Sequence, residues 1–265
     1  MDTKKIIIAV IAIVAVVAVG LWASGSLNNH SDLDGQEVNV AAAASLKNVF
    51  DDKLIPMFNQ KYPGVKIVPT YASSGKLQSQ IENGLNVDIF VSASNKQMNK
   101  LASEGYVNNS TNVQILENKV VLIVPKNSTL NITSFKDLEK VNGTIAIGDP
   151  ASVPAGQYAK EILTNLGIWD KLQSKLSYGS DVTEVLNQVA QGSAACGIVY
   201  STDALSNNGV KVVCEAPAGS LNTSVIYPIA MTNGTHNNAA KLFYEFLKSP
   251  EAQKVFEEYG FTIHQ

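Results

Sequence analysis

The chain is short of the residue types on which most enzyme chemistry rests. Cysteine occurs only twice, as Cys196 and Cys214, without C-x-x-C spacing, which argues against a zinc site or a dithiol redox centre. Its three histidines, His30, His236 and His264, fall in a polar tether, a loop and the tail, so no Ser-His-Asp triad or metal cluster takes shape. Charge is sparse: 16% of residues are charged, the formal net charge is -3, and no Lys or Arg run follows the first few residues. That leaves no basic surface for nucleic acid. With 45% hydrophobic residues in a length of 265, the chain is nonetheless globular and suits two lobes better than one core.

What is present begins with an export signal. Lys4-Lys5 precede an apolar run from Ile6 to Ala23, closed by Ser24, Gly25 and Ser26, so residues 1–25 read as a signal peptide. The run is also near the lower limit for a membrane span, about 17–25 residues, so an uncleaved anchor fits equally. Either way the Lys pair stays in the cytoplasm and the rest lies outside. No Cys follows the run, which excludes a lipid-modified Cys anchor, and residues 26–37 read as a polar tether. Outside the cytoplasm Cys196 and Cys214 could pair, and the sequence leaves open whether they come within reach. Tripeptides N-x-[ST] starting at Asn109, Asn127, Asn131, Asn142, Asn222 and Asn233 fit an outside surface, although an Asn-rich chain also produces them by chance.

From Val38 onward one unit repeats: a short apolar strand, a few small or hydroxyl residues, then a helix. Val38 to Ala44 leads to a helix from Ser45 to about Gln60; Val65 to Val68, through Tyr71-Ala72-Ser73-Ser74-Gly75, leads to a helix over about 76–83; Val87 to Val91, through Ser92-Ala93-Ser94, leads to a third over 96–105. This is the grammar of an α/β fold with mainly parallel sheets, whose ligands sit beyond the carboxyl ends of the strands. Lys119 to Val124 reads as a strand crossing into a second lobe. There the unit recurs at Thr144 to Ile147 with Gly148-Asp149-Pro150-Ala151-Ser152-Val153-Pro154-Ala155-Gly156, and again at Gly197 to Tyr200 with Ser201. Asp181 with Glu184 is a capping-box pattern opening another helix. Val225 to Ala230 reads as a second crossing strand, and two helices over 237–247 and from Pro250 complete the first lobe. The expected organisation is lobe 1 over 38–121 and 225–265, lobe 2 over 122–224, and a cleft between them.

Small residues at helix starts in both lobes suit an inorganic oxyanion, which presents only acceptors to backbone N–H and Ser O–H donors. Each hydrogen bond to a charged group contributes about 1.5–3 kcal/mol. Several together outweigh a desolvation penalty of several kcal/mol.

The runs Ala42-Ala43-Ala44-Ser45-Leu46, Ala72-Ser73-Ser74, Asp88-Ile89-Phe90-Val91-Ser92-Ala93, Gly148-Asp149-Pro150 with Val153-Pro154-Ala155-Gly156, Gly197-Ile198-Val199-Tyr200 and Tyr259-Gly260-Phe261 resemble, in order, the periplasmic molybdate-binding proteins of ABC transporters. That resemblance covers about Val38 to His264 and implies a two-lobed type II periplasmic-binding-protein fold. It implies that Ser45, Ser74, Ala93, Ala155, Val182 and Tyr200 bind a tetrahedral dianion, molybdate or tungstate. Ser45, Ser74 and Tyr200 would donate hydroxyl hydrogens; Ser45, Ala93, Ala155 and Val182 would offer backbone N–H groups. No resident cofactor is implied. The implied partner is an ABC permease, served by a monomer that touches the membrane only through its N-terminal segment. Gly75-Lys76 departs from the family, where small hydroxyl residues are common; a Lys there is expected to point to solvent.

Two other readings remain. Sulfate is also tetrahedral and unprotonated, and donors of this kind suit it as they suit molybdate. Ser73-Ser74-Gly75-Lys76 matches the S-x-x-K motif of serine acyl-transfer enzymes, but K-T-G is absent and Ser180-Asp181-Val182 is not S-D-N.

Overall fold

A computed structural model describes residues 32–265; the expected signal or anchor and the first half of the tether lie outside the described residues. The chain enters at β1 (Glu37–Ala43), whose residues from Val38 onward alternate between two covered faces. Ala41 joins Phe90 and Ala230 on one face, beneath the helices α2 (Ser74–Glu82) and α3 (Asn95–Ser103). Val40 and Ala42 join Ile89, Val91 and Ile229 on the other. That second face is covered by α1, a continuous helical segment over 44–61 that contains a π turn at Phe50–Leu54, and by α8 (Asn238–Lys248) and α9 (Pro250–Glu258). Phe50, Phe58 and Phe243 meet there, the Phe58 and Phe243 rings 4.9 Å apart. A strand covered on both sides has no polar face, which is why β1 reads as a continuous apolar run.

Around β1 the first sheet has the order β11-β4-β10-β3-β1-β2, with β2 Lys66–Ala72, β3 Ile89–Val91, β4 Val113–Asn118, β10 Val225–Met231 and β11 Thr262–Ile263. The second has the order β7-β6-β8-β5-β9, with β5 Val120–Pro125, β6 Ile145–Gly148, β7 Leu176–Gly179, β8 Cys196–Tyr200 and β9 Val210–Glu215. Its helices are α4 (Pro154–Asn165), α5 (Trp169–Leu172), α6 (Val182–Ala190) and α7 (Ser201–Leu205). The two-lobed α/β architecture expected from the sequence is therefore present, with one correction: the sheets are mixed, not mainly parallel. Strands β1, β2 and β3 are parallel, as are β6, β7 and β8, but β10 is antiparallel to β3 and β4, and β5 to β8 and β9. The cause is the connectivity, since a chain that leaves a lobe at the strand ends facing its neighbour must return along the opposite direction.

The crossings also differ in detail. The first is Lys119, between β4 of one sheet and β5 of the other, and the strand Val225–Met231 lies wholly in the first sheet, so the return is the loop over 216–224. Strands β4, β7 and β11 and the single turn α5 had no sequence signal. Glu117, Gln114 and Tyr178 interrupt the apolar pattern of β4 and β7, because these strands lie toward the half-covered sheet edges.

The cysteines are free, and their placement explains it. Cys196 on β8 and Cys214 on β9 flank β5 on opposite sides, with Gly197 opposite Ile123 and Cys214 opposite Leu122. Two strand spacings of about 4.8 Å separate them by roughly 10 Å, beyond the 4.4–6.8 Å that a disulfide spans. Burial pushes the Cys196 thiol up to about 12, so it is unreactive in the folded state. Without reductant, a thiol reagent should therefore label both cysteines in denaturant and leave Cys196 untouched in the native protein, while added reductant leaves the melting temperature unchanged; a single disulfide-linked species would contradict the arrangement.

Candidate functional site

Parallel strands of both sheets end at one place. The carboxyl ends of β1, β2 and β3 face those of β6 and β8, and the junctions after them line a small, partly open cavity. Its wall is Ala43, Ala44, Ser45, Ser73, Ser74 and Ala93 from one lobe with Val153, Pro154, Ala155, Val182 and Tyr200 from the other. All six residues singled out from the sequence are among them. None of the lining side chains is charged, and the chain contains no arginine.

Three of the helix starts at this wall lack a side-chain cap. Segment α1, α2 and α4 begin at Ala43, Ser73 and Val153, none of which makes a side-chain capping bond. By contrast α3, α8 and α9, whose starts do not line the cavity, are capped by Ser94, Asn237 and Ser249. The first N–H groups of a helix have no partner within it, so uncapped starts concentrate positive dipole ends at the cavity, although Gly75 N in the first turn of α2 is taken by Ser152 O. The fourth, α6, is capped by Asp181, whose carboxylate accepts from Glu184 N at 2.9 Å. Asp149 likewise accepts from Ala151 N at 2.9 Å within its turn. The Asp181 cap is the one its spacing to Glu184 predicts.

The hydroxyls fall into two groups. Ser45 Oγ lies 2.9 Å from Tyr227 Oη, which also accepts from Asn118 Nδ2 at 3.2 Å. Ser74 Oγ accepts from Ala93 N at 2.9 Å, so in this arrangement that backbone N–H is directed at the serine and the serine O–H stays available as a donor. Tyr200 Oη and Ser73 Oγ, by contrast, are buried with no hydrogen-bond partner among the described residues. Burial raises the Tyr200 phenol well above its ordinary value, which keeps it a neutral donor. An unpartnered buried hydroxyl carries a penalty of about 1–3 kcal/mol, which an acceptor placed in the cavity would relieve. The sequence reading assigned no binding role to Ser73, Tyr227 or Asn118. The adjacent Ser73-Ser74 pair was a signal for the first; nothing local marks the other two, which act through packing across the fold.

Close approach at this seam depends on glycine at two positions. A Cβ on Gly156 would lie 1.9 Å from Gly148 O, so only glycine lets the first turn of α4 rest on the end of β6. Gly75 N donates to Ser152 O at 2.9 Å across the lobes, and a Cβ on Gly75 would lie 2.3 Å from that oxygen. The departure from the family noted at Gly75 is thus a lobe-to-lobe contact, while Lys76 is exposed, as expected, and makes no pair with the buried Ser73 hydroxyl.

Behind Tyr200 lies one buried acid. Asp203 accepts from Tyr200 N at 3.2 Å, and burial raises its carboxyl from 3.8 to about 7, with Asp181 adding in the same direction. Unfolded, the group loses its proton near 4; folded, near 7. In that window the folded state binds the extra proton, so stability falls as pH rises through it. The melting temperature should decline from about pH 4 to 7, and Asp203→Asn should flatten that decline in thermal unfolding across the same range; an unchanged slope would place the titrating group elsewhere.

Known proteins resemble the chain in sequence and in fold. The sequence pattern of the bacterial extracellular solute-binding protein family matches residues 38–262. The molybdate-binding protein ModA of Escherichia coli K12 is 40% identical over 239 residues, covering 87% of this chain and 90% of that protein. That of Haemophilus influenzae is 39% identical over 230 residues, covering 85% and 90%. Among solved structures, the periplasmic molybdate-binding protein of Azotobacter vinelandii superposes with a TM-score of 0.76 at 24% identity, over 86% of this chain and all of that one. By pattern, identity and fold, the chain belongs to the bacterial extracellular solute-binding proteins.

Proposed function

We propose that the protein captures a tetrahedral, unprotonated oxyanion, molybdate and with it tungstate, in the interlobe cavity outside the cytoplasm and delivers it to an ABC permease. The observation that carries this reading is the uncharged wall of donors, with the Tyr200 and Ser73 hydroxyls buried and unpartnered against it. Ser45, Ser74 and Tyr200 donate hydroxyl hydrogens to the anion, and the first turns at Ser45, Ala155 and Val182 donate backbone N–H. Ala93 acts through its bond to Ser74 Oγ, which polarises that hydroxyl toward the ligand. Phosphate at neutral pH carries a proton and needs an acceptor, which this wall does not offer, so it is disfavoured by about 1–3 kcal/mol per unmatched hydrogen. The choice of molybdate over sulfate draws on the names of the Escherichia coli and Haemophilus influenzae relatives. The family is one of solute-binding proteins and not of enzymes, and the acyl-transfer reading of Ser73 and Lys76 is set aside.

In this mechanism the open protein receives the ion on one lobe, and closure about Lys119 and the 216–224 loop brings the second set of donors onto it and excludes water. The protein acts as a monomer, and its N-terminal segment is its only membrane contact. Thermal unfolding with molybdate, tungstate, sulfate and phosphate in turn tests the ligand. At one hundred times its dissociation constant the true ligand adds about 2.7 kcal/mol of stability, a shift of several degrees. No shift with any of the four would overturn the assignment, and a larger shift with sulfate would change the ion. Gly75→Ala should weaken binding by about tenfold or more by holding the lobes apart, measured by isothermal titration, with little change in the melting temperature without ligand. An unaltered affinity would show that closure does not use that contact.

A further inference from the structure

We propose that the protein carries N-linked sugar on the loops at its two poles, the ends of the lobes remote from the cavity, at Asn109, Asn127, Asn131 and Asn142. The first observation is one of number. The chain has 24 Asn, and Ser and Thr together make up 36 of its 265 residues, so chance placement gives about three N-x-[ST] triplets. Residues 32–265 alone hold seven, starting at Asn108, Asn109, Asn127, Asn131, Asn142, Asn222 and Asn233. Every one of those seven asparagines is exposed and lies outside the α-helices and strands.

The second observation is position. In the second sheet the cavity lies at the Tyr200 end of β8, which is the Gly148 end of β6 and the Val120 end of β5. Asn127 and Asn131 follow β5 and Asn142 precedes β6, so all three belong to the opposite end. In the first sheet Met231 pairs with Ile89 at the start of β3, and the bridge from Val107 to Thr232 continues that end outward. Asn109 and Asn233 therefore also face away from the cavity. The contrast lies in the asparagines beside the site. Asn48, Asn187 and Asn207 line the interlobe groove next to Ser45, and two residues on they have Phe50, Val189 and Gly209. Asn118, at the first crossing, has Val120. The triplets are thus frequent where a bulky sugar obstructs nothing and missing from the groove beside Ser45, with Asn222 in the return loop the exception near a crossing.

Asn108 is left out of the primary set because its amide is held by Ser110, whose N and Oγ donate to its Oδ1 at 3.0 and 2.8 Å, Asn233 because its Nδ2 donates to Gly105 O at 2.7 Å, and Asn222 because it sits in the loop that carries the return crossing. The donor is a lipid-linked oligosaccharide, a glycosyl phosphate ester of a polyprenol. The asparagine Nδ2 attacks the anomeric carbon, a C–N bond forms as the C–O bond to phosphate breaks, the lipid phosphate leaves with the electron pair, and one amide proton passes to a base of the transferase.

The test is mass spectrometry of protein isolated from the organism that makes it, against the same chain from a host without N-glycosylation. The native protein should be heavier by whole glycan increments that map to polar-end asparagines, and Asn127→Gln and Asn142→Gln should each remove one increment while leaving the thermal shift with molybdate as it was. A native mass equal to the bare polypeptide would overturn the proposal, as would sugar on Asn48, Asn187 or Asn207, or added mass that maps to hydroxyl groups.

Discussion

Under the proposed function, holding a doubly charged ion out of water without a single opposing charge is the constraint on which the rest of this structure depends. Neutral donors are individually weak, so several must converge on one point from separate parts of the chain, and each must be fixed before the ion arrives. Two sheets whose parallel strands end toward each other meet that requirement, because each strand end delivers a helix start to the same place. The missing caps on α1, α2 and α4 follow from the same logic. A capping side chain would make each helix more stable by about 1 kcal/mol and would occupy the donors that the site needs. Some local stability is forgone for binding, and Asp203, buried beside Tyr200 with a raised carboxyl, adds to that burden.

Much of the fold was legible because buried strands and helix starts leave strong local marks. The run ending at Ala44, the Asp181 cap and the Gly148 to Gly156 loop are each set by neighbours within about ten residues, and the sequence reading placed them where the structure has them. Strand direction was less legible. Whether β5 and β10 run with or against their neighbours depends on where the chain crosses between lobes, which no local pattern encodes. The same holds for Cys196 and Cys214, whose separation is decided by β5 lying between their strands.

The site divides in the same way. The six residues that the resemblance pointed to lie on one cavity wall. The groups that position them were invisible, because Tyr227 and Asn118 reach Ser45 and Thr202 from other strands, over 182 and 84 residues of chain. Asn118 Nδ2 donates to Thr202 Oγ1 at 2.9 Å and its Oδ1 accepts from Ser201 Oγ at 3.0 Å, so the first crossing is clipped to the start of α7 beside Tyr200. A contact of that kind belongs to the fold as a whole.

The aromatic residues around the cleft have a kinetic consequence. Tyr158, Tyr200, Tyr227, Phe261, Phe256 and Phe50 form an unbroken succession of rings, each 5.5–6.4 Å from the next, running from one lobe into the other. To let an ion escape, the lobes must shear that succession between Tyr200 and Tyr227 and wet ring edges that are dry when closed. In the proposed cycle the residence time of the cargo is therefore governed as much by oil meeting water at this seam as by the donors around it, and warming or a mild denaturant should shorten it before either lobe unfolds.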